Sequence, residues 1–107
     1  MSTLRNSVRL IGRVGNTPET KNFDNGNKVS FSLATNDFYY NDKNEKVEST
    51  QWHNIVAWGK TAEIIQKYVE KGKEIAIEGK ITYRTYEDKD KIKRTITEIV
   101  AHEVLFF

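Results

Sequence analysis

STQWHNIVAWGK, residues 49–60, holds both tryptophans of the chain, Trp52 and Trp58. Successive residues of a strand point to opposite faces, so a spacing of six puts the two indoles on one side of a strand. Asn54 shares that side, while His53, Ile55 and Ala57 take the other. Val56 falls on the tryptophan side and spoils a clean alternation. From spacing alone the rings fit a buried core as well as an open face. What lies around the segment has to decide between them.

Upstream, residues 7–14 and 28–34 alternate with period two. Val8, Leu10, Gly12 and Val14 line one face of the first, opposite Arg9, Ile11 and Arg13; Val29, Phe31 and Leu33 alternate with Ser30, Ser32 and Ala34 in the second. Asn16-Thr17-Pro18 and Asp24-Asn25-Gly26 between them are turn signals, the latter suited to a tight reversal. Residues 41–46, NDKNEK, form a polar loop. Downstream, 61–71 predicts a helix with Thr61 as N-cap, Glu63 in its first turn, Lys67 and Lys71 toward its end, and Gly72 beyond. Ala62, Ile65 and Val69 give it a buried stripe beside Ile64 and Tyr68. Residues 74–86 predict a strand with Ile75, Ile77, Ile81 and Tyr83 on one face and Glu78, Lys80, Thr82, Arg84 and Tyr86 on the other. A charged loop, EDKDKIK at 87–93, precedes a last strand over 94–106.

The order β-β-β-α-β-β suits an all-β, five-stranded Greek-key OB-fold barrel with one short helix between strands 3 and 4. Periodicity by itself leaves other small α+β folds open. The 107 residues suit a single domain, 1–107, with enough chain for a core free of disulfide or metal staples. Cysteine is absent, which excludes thiol nucleophiles, disulfides and Cys-ligated zinc. MSTLRNSVRL has neither a long apolar run nor a small-residue cleavage site, and no stretch reaches the roughly 20 apolar residues of a membrane span. A soluble, cytoplasmic protein is expected. The net charge of +2, with 30% charged residues of both signs, permits an anionic partner without demanding one.

Catalytic chemistry has little to stand on. His53 and His102 are far apart and belong to no metal or hydrolase motif; His53 is expected to be packed or at an interface. Carboxylates such as Glu87, Asp88 and Asp90 sit beside lysines in loops, as solvated surface does. Neither an enzyme nor a cofactor or metal site is expected. The aromatics say more. Tyr86 shares a predicted outward face with Lys80 and Arg84, and FYYN at 38–41 cannot bury three successive rings on one side. Exposed rings among cations are what a grip on single-stranded nucleic acid requires: unpaired bases stack on the rings, and cations follow the phosphates. Reading a duplex would call for a groove-entering helix, and the helix here is short and of mixed charge.

Six segments together resemble the bacterial-type single-stranded DNA-binding protein family: RLIGRVGNTPE (9–19), FDNG (23–26), VSFSLATN (29–36), TQWHNIVAWGKTAEIIQKYVEKG (50–72), IAIEGKITYRTYED (75–88) and TEIVAHEV (97–104). The set WHxxxxxGKxAE, YxxKG and IEG carries the likeness; any one piece alone would be weak. The resemblance implies an OB barrel, a homotetramer, and single-stranded DNA bound with little sequence preference during replication, recombination and repair, in the cytoplasm and at the nucleoid.

By the same resemblance the stacking rings fall on Trp52, Trp58, Tyr86 and one of Tyr39 or Tyr40. Members often carry tryptophan at the tyrosine positions and phenylalanine at that of Trp58. Basic contacts fall on Lys60, Lys71 and Arg84, and His53 on a histidine of the subunit interface. Lys80 and Arg13 are added from their facing alone. Familiar members end in a flexible tail whose acidic tip recruits other proteins. This sequence ends at EVLFF, so recruitment through such a tip is not expected of it. Alternative readings are a primosome-type or RNA-binding OB module, an OB module that binds protein, and a small nuclease, for which no clustered acidic metal site is in view.

Overall fold

The computed structural model describes residues 4–24 and 26–107. After a short 3-10 turn at Leu4–Asn6 come β1 (Val8–Val14), β2 (Glu19–Phe23), β3 (Gly26–Tyr40), β4 (Lys46–Trp58), α1 (Gly59–Tyr68), β5 (Glu74–Glu87) and β6 (Lys93–Phe106). Neighbouring strands run β1-β5-β6-β4-β3, and β1 pairs again with β3 through Arg13 opposite Ala34. That last pairing closes the ring. The pair β4–β6 is parallel, through Ile55–Ile99 and Val56–Val100, and every other pair is antiparallel. The result is the expected five-stranded barrel, with the helix between its third and fourth strands.

Inside lie alternate residues of the strands, among them those that period two picked out in β1, β3 and β5. Val14, Val29, Phe31, Leu33, Ile55, Ile75, Ile77 and Ile99 are buried together, and Ala62 and Ile65 of α1 join them with Val69 just past its end. Full burial of each such aliphatic side chain contributes roughly 1.5–3 kcal/mol. Gly79 is forced by close approach: a β-carbon there would overlap the Val100 carbonyl oxygen, where β5 and β6 shift register between Glu78 and Gly79.

Some expectations need correction. β2 is an additional strand, paired only with β3, where the sequence suggested turns alone. Phe23 stands opposite Gly26 at its end, and Asn25 of the expected reversal lies outside the described residues. The helix begins earlier and ends sooner than 61–71, with Trp58 as N-cap and no side-chain cap bond. Gly59, at φ +62°, makes the turn out of β4 in a left-handed conformation that suits glycine. Thr61 is therefore inside the helix, and its hydroxyl donates to the His102 carbonyl at 3.3 Å. Glu63 is past the first turn, and Lys71 lies beyond the helix. Tyr83 is 68% exposed, not on an inward face, because β5 and β6 continue past the barrel as a free two-stranded arm. β3 and β4 form a second arm, with ladder pairing out to Tyr40–Lys46.

Candidate nucleic-acid interface

The closed ring has an outer face as regular as its core. Ladder partners place Lys80, Val100, Val56 and Ser30 in one row across β5, β6, β4 and β3, and Glu19 of β2 extends it. Even-numbered residues of β3, β4 and β5 share this side, as do those of β6 up to Val100, beyond which the register shift turns Val104 toward the core. Trp58, the last residue of β4, and Trp52, six residues before it, lie on this side, 47% and 64% exposed. Between them runs an open groove of about 350 Å³, lined in part by Asn16, Ser30, Ser32, Asn54, Val56 and Glu98. The position of Val56 now has a cause. As the middle strand, β4 has Ser30 on one flank and Val100 on the other, so a side chain on the groove floor is covered without entering the core.

At one end of the groove, Trp52 lies opposite Ala34, which in turn lies opposite Arg13. Its ring is seated against Gly15, and Gly15 N–H donates to Ser32 O at 2.8 Å. Asn16 Oδ1 accepts from both the Ser32 amide, at 2.7 Å, and the Ser32 hydroxyl, at 2.8 Å, holding that loop to β3. Arg13 donates to the Gly72 carbonyl at 3.2 Å, which brings it beside the turn that carries Lys71. At the other end, Lys28 stands opposite Trp58, with its ammonium 5.6 Å from the indole centroid. Lys60 follows two residues later, in the first turn of α1. The positive end of the helix dipole disfavours a cation there, and an anion nearby would relieve it.

The β5–β6 arm supplies Tyr86, Arg84 and Lys80 on the same side. Arg84 is engaged with Glu98, Nε to Oε1 at 3.3 Å and Nη2 to Oε2 at 3.2 Å. That hydrogen bond raises the guanidinium pKa further, with the carboxylate's charge adding to it. Glu98 offsets much of the charge that Arg84 would offer a phosphate. It also fixes the guanidinium 5.9 Å from the Tyr86 ring centroid. At the arm's tip Asp88 accepts from Arg94 Nε at 2.9 Å and from the Asp90 and Ile92 amides. Those bonds, that of Arg94 foremost, lower its pKa.

Register separates the two candidate tyrosines of the other arm. Tyr40, with Phe38, is on the strand face of Trp52, while Tyr39 is on that of His53. Phe38 and Tyr40 meet edge to face at 5.9 Å, and Lys46 lies 4.6 Å over Phe38. His53 is opposite Leu33, half-buried, with Nε2 2.9 Å from the Thr35 hydroxyl. It faces away from both tryptophans. The structure thus brings together Trp52, Trp58, Tyr86, Arg84 and Lys80 on one face, with Arg13, Lys60 and Lys71 at its margins and Tyr39 and Tyr40 on an arm. Phe23, Lys28, Phe38 and Glu98 were missed. Phe23 directly before DNG and Phe38 within the FYYN run were legible hints; Lys28 and Glu98 show only through cross-strand register. No group of three or more His, Asp or Glu side chains that could hold a metal stands together among the described residues.

A closed Greek-key barrel with open rings and cations over one face defines an OB-type binding barrel. The model of the Single-strand binding protein family matches residues 5–107, and the chain belongs to that family. The single-stranded DNA-binding protein of Neisseria meningitidis is 44% identical over 100 residues, covering 92% of this chain and 58% of the relative. That of Bacteroides thetaiotaomicron is 50% identical over 97 residues, covering 88% and 60%. The chain therefore spans about three fifths of the curated relatives it matches. Among solved structures, the Plasmodium falciparum SSB in complex with ssDNA superposes with a TM-score of 0.89 at 32% identity, covering 100% of this chain and 97% of the other. A deletion mutant of the single-stranded DNA-binding protein from Thermus aquaticus gives 0.80 at 26%, covering 92% and 48%.

Proposed function

We propose that this chain is a non-catalytic protein that binds single-stranded DNA with little sequence preference and protects it during replication, recombination and repair. The observation that carries the reading is the open pair Trp52 and Trp58, on one face of β4 and bordered by Lys28, Lys60 and Arg13. Bases stack on these rings, on Tyr86 and on a tyrosine of the β3–β4 arm, while Lys60, Lys71, Lys80 and Arg13 neutralise phosphates. Arg84, held by Glu98, contributes a fixed planar group beside Tyr86. The structural likeness to an SSB bound to ssDNA supports the reading.

Self-association is part of the proposal. Ile11 and Leu105 are exposed and, with Ala76, line an apolar groove on the outer face of β1, β5 and β6, away from the tryptophans. Such a face suits another copy, and His53 is assigned to a subunit contact within a homotetramer. A cytoplasmic, nucleoid-associated location follows from a DNA partner.

Mixing with an unstructured oligodeoxynucleotide should strongly quench tryptophan emission. Unchanged emission at saturating DNA overturns the stacking assignment. Competition by a matched RNA strand at equal strength would shift the reading to an RNA-binding module.

A further inference from the structure

β2, the strand absent from the sequence reading, carries chemistry of its own on the groove side. Its residues Glu19, Lys21 and Phe23 stand opposite Ser30, Lys28 and Gly26 of β3. Phe23 meets Trp58 with ring centroids 6.0 Å apart and planes tilted by 37°. It remains 50% exposed. Gly26, opposite it, has no side chain to cover the ring, and even a β-carbon built there would meet nothing within 4 Å. A phenylalanine ring left open at a hairpin end gains nothing for the core. It continues an aromatic surface that begins at Trp58.

Lys21 and Lys28 are direct cross-strand partners, an arrangement in which like charges repel. Among the described residues no carboxylate lies within ion-pair distance of either. Lys28 rests over the Trp58 ring, and Lys21 is exposed beside it. Two unpaired cations facing each other next to two open rings are unfavourable for the protein alone. They are favourable once an anion sits between them.

We infer that the β2–β3 hairpin is an additional nucleotide subsite: Phe23 stacks the base next to the one on Trp58, and Lys21 and Lys28 hold the phosphate that joins them. This rests on the single-strand reading above and extends the strand's path past the end of the groove. The 37° tilt suits the arrangement, since two bases on splayed rings diverge and leave room for their linking phosphate. A strand crossing the groove from Trp52 to Trp58 would then leave the barrel over β2.

The test compares wild type with Phe23→Leu and Lys21→Thr, titrated with oligodeoxythymidylate at several salt concentrations and melted without DNA. Leucine keeps an apolar partner for Trp58 but offers no face to a base, so Phe23→Leu should bind roughly tenfold more weakly with little change in melting temperature. Lys21→Thr should flatten the slope of log K against log salt by about 0.7. Relieved of repulsion, it should melt at the same or a higher temperature. Wild-type affinity in Phe23→Leu, or an unchanged salt slope in Lys21→Thr, overturns the subsite while leaving the groove assignment intact. Failure of the wild-type protein to bind the oligonucleotide would overturn both together.

Discussion

The Trp52 ring lies against the backbone of Gly15, so closely that a β-carbon at that position would overlap its six-membered edge. The indole is thus open to solvent on the groove side and seated on β1's exit loop on the other. Gly15→Ala should push the ring off this seat, since the indole edge is free to swing and the backbone is not. Affinity for single-stranded DNA should fall several-fold, part of the roughly 1–3 kcal/mol that one stacking ring supplies. Thermal unfolding should change little. Fluorescence titration and melting of the same variant check both.

Trp52→Ala should cost about 1–3 kcal/mol of DNA binding. His53→Ala, on the opposite side of the same strand, should leave affinity per subunit nearly unchanged and lower the mass found by sedimentation. Equal effects of the two on affinity would contradict the division of faces.

Arg84 and Glu98 make a further, less obvious pair. Removing the guanidinium leaves a carboxylate with 12% of its side chain exposed in the groove, facing phosphates without a partner. Arg84→Ala should therefore weaken binding more than Lys60→Ala, which removes one exposed charge. Glu98→Gln should do the opposite and steepen the salt dependence by up to about 0.7 as Arg84 becomes available. Salt titrations of the three variants separate these outcomes.

Gly79→Ala should be the severe change in β5. The overlapping atom is the Val100 carbonyl oxygen, which is backbone within the β5–β6 ladder and has no room to retreat. A loss of at least about 2 kcal/mol is expected, read from chemical denaturation.

At the β5–β6 tip, the pKa of Asp88 is lowered by its bond from Arg94 first and then by the backbone amide of Ile92. A carboxylate lowered in the folded state stabilises the tip at pH values above the ordinary aspartate range. That contribution is lost as the pH falls through the lowered value. By NMR, the Asp88 carboxyl should titrate below an ordinary aspartate, and the Asp90 and Ile92 amide shifts should follow the same midpoint. Arg94→Ala should move that midpoint up.

Legibility followed the strength of alternation. Where one face is buried, as in residues 7–14 and 28–34, period two marked the inward side chains correctly, including Val29, Phe31 and Leu33. It failed at Tyr83 and did not reveal how far β3 and β4 extend. In both places the strands leave the barrel, and neither face of a free arm is buried. β2 was invisible for the same reason: ETKNF is polar and has almost no buried residue. The helix start was misplaced because a threonine near an apolar stripe imitates an N-cap, while the true turn is made by the positive φ of Gly59.

For the site, sequence alone determined which residue types were available and which side of β4 each occupied. Alternation along one strand is a local property of the backbone and needs no partner. It could not say whether the tryptophan side faced inward or outward, nor which distant residues shared it. Those answers came from closure of the ring, which fixes the core on the side of Ile55 and the groove on the side of Asn54. The pairings of Lys28 with Trp58, Lys21 with Lys28 and Arg84 with Glu98 came the same way. Cross-strand neighbours are set by register between segments far apart in the chain, and only the folded sheet specifies that register.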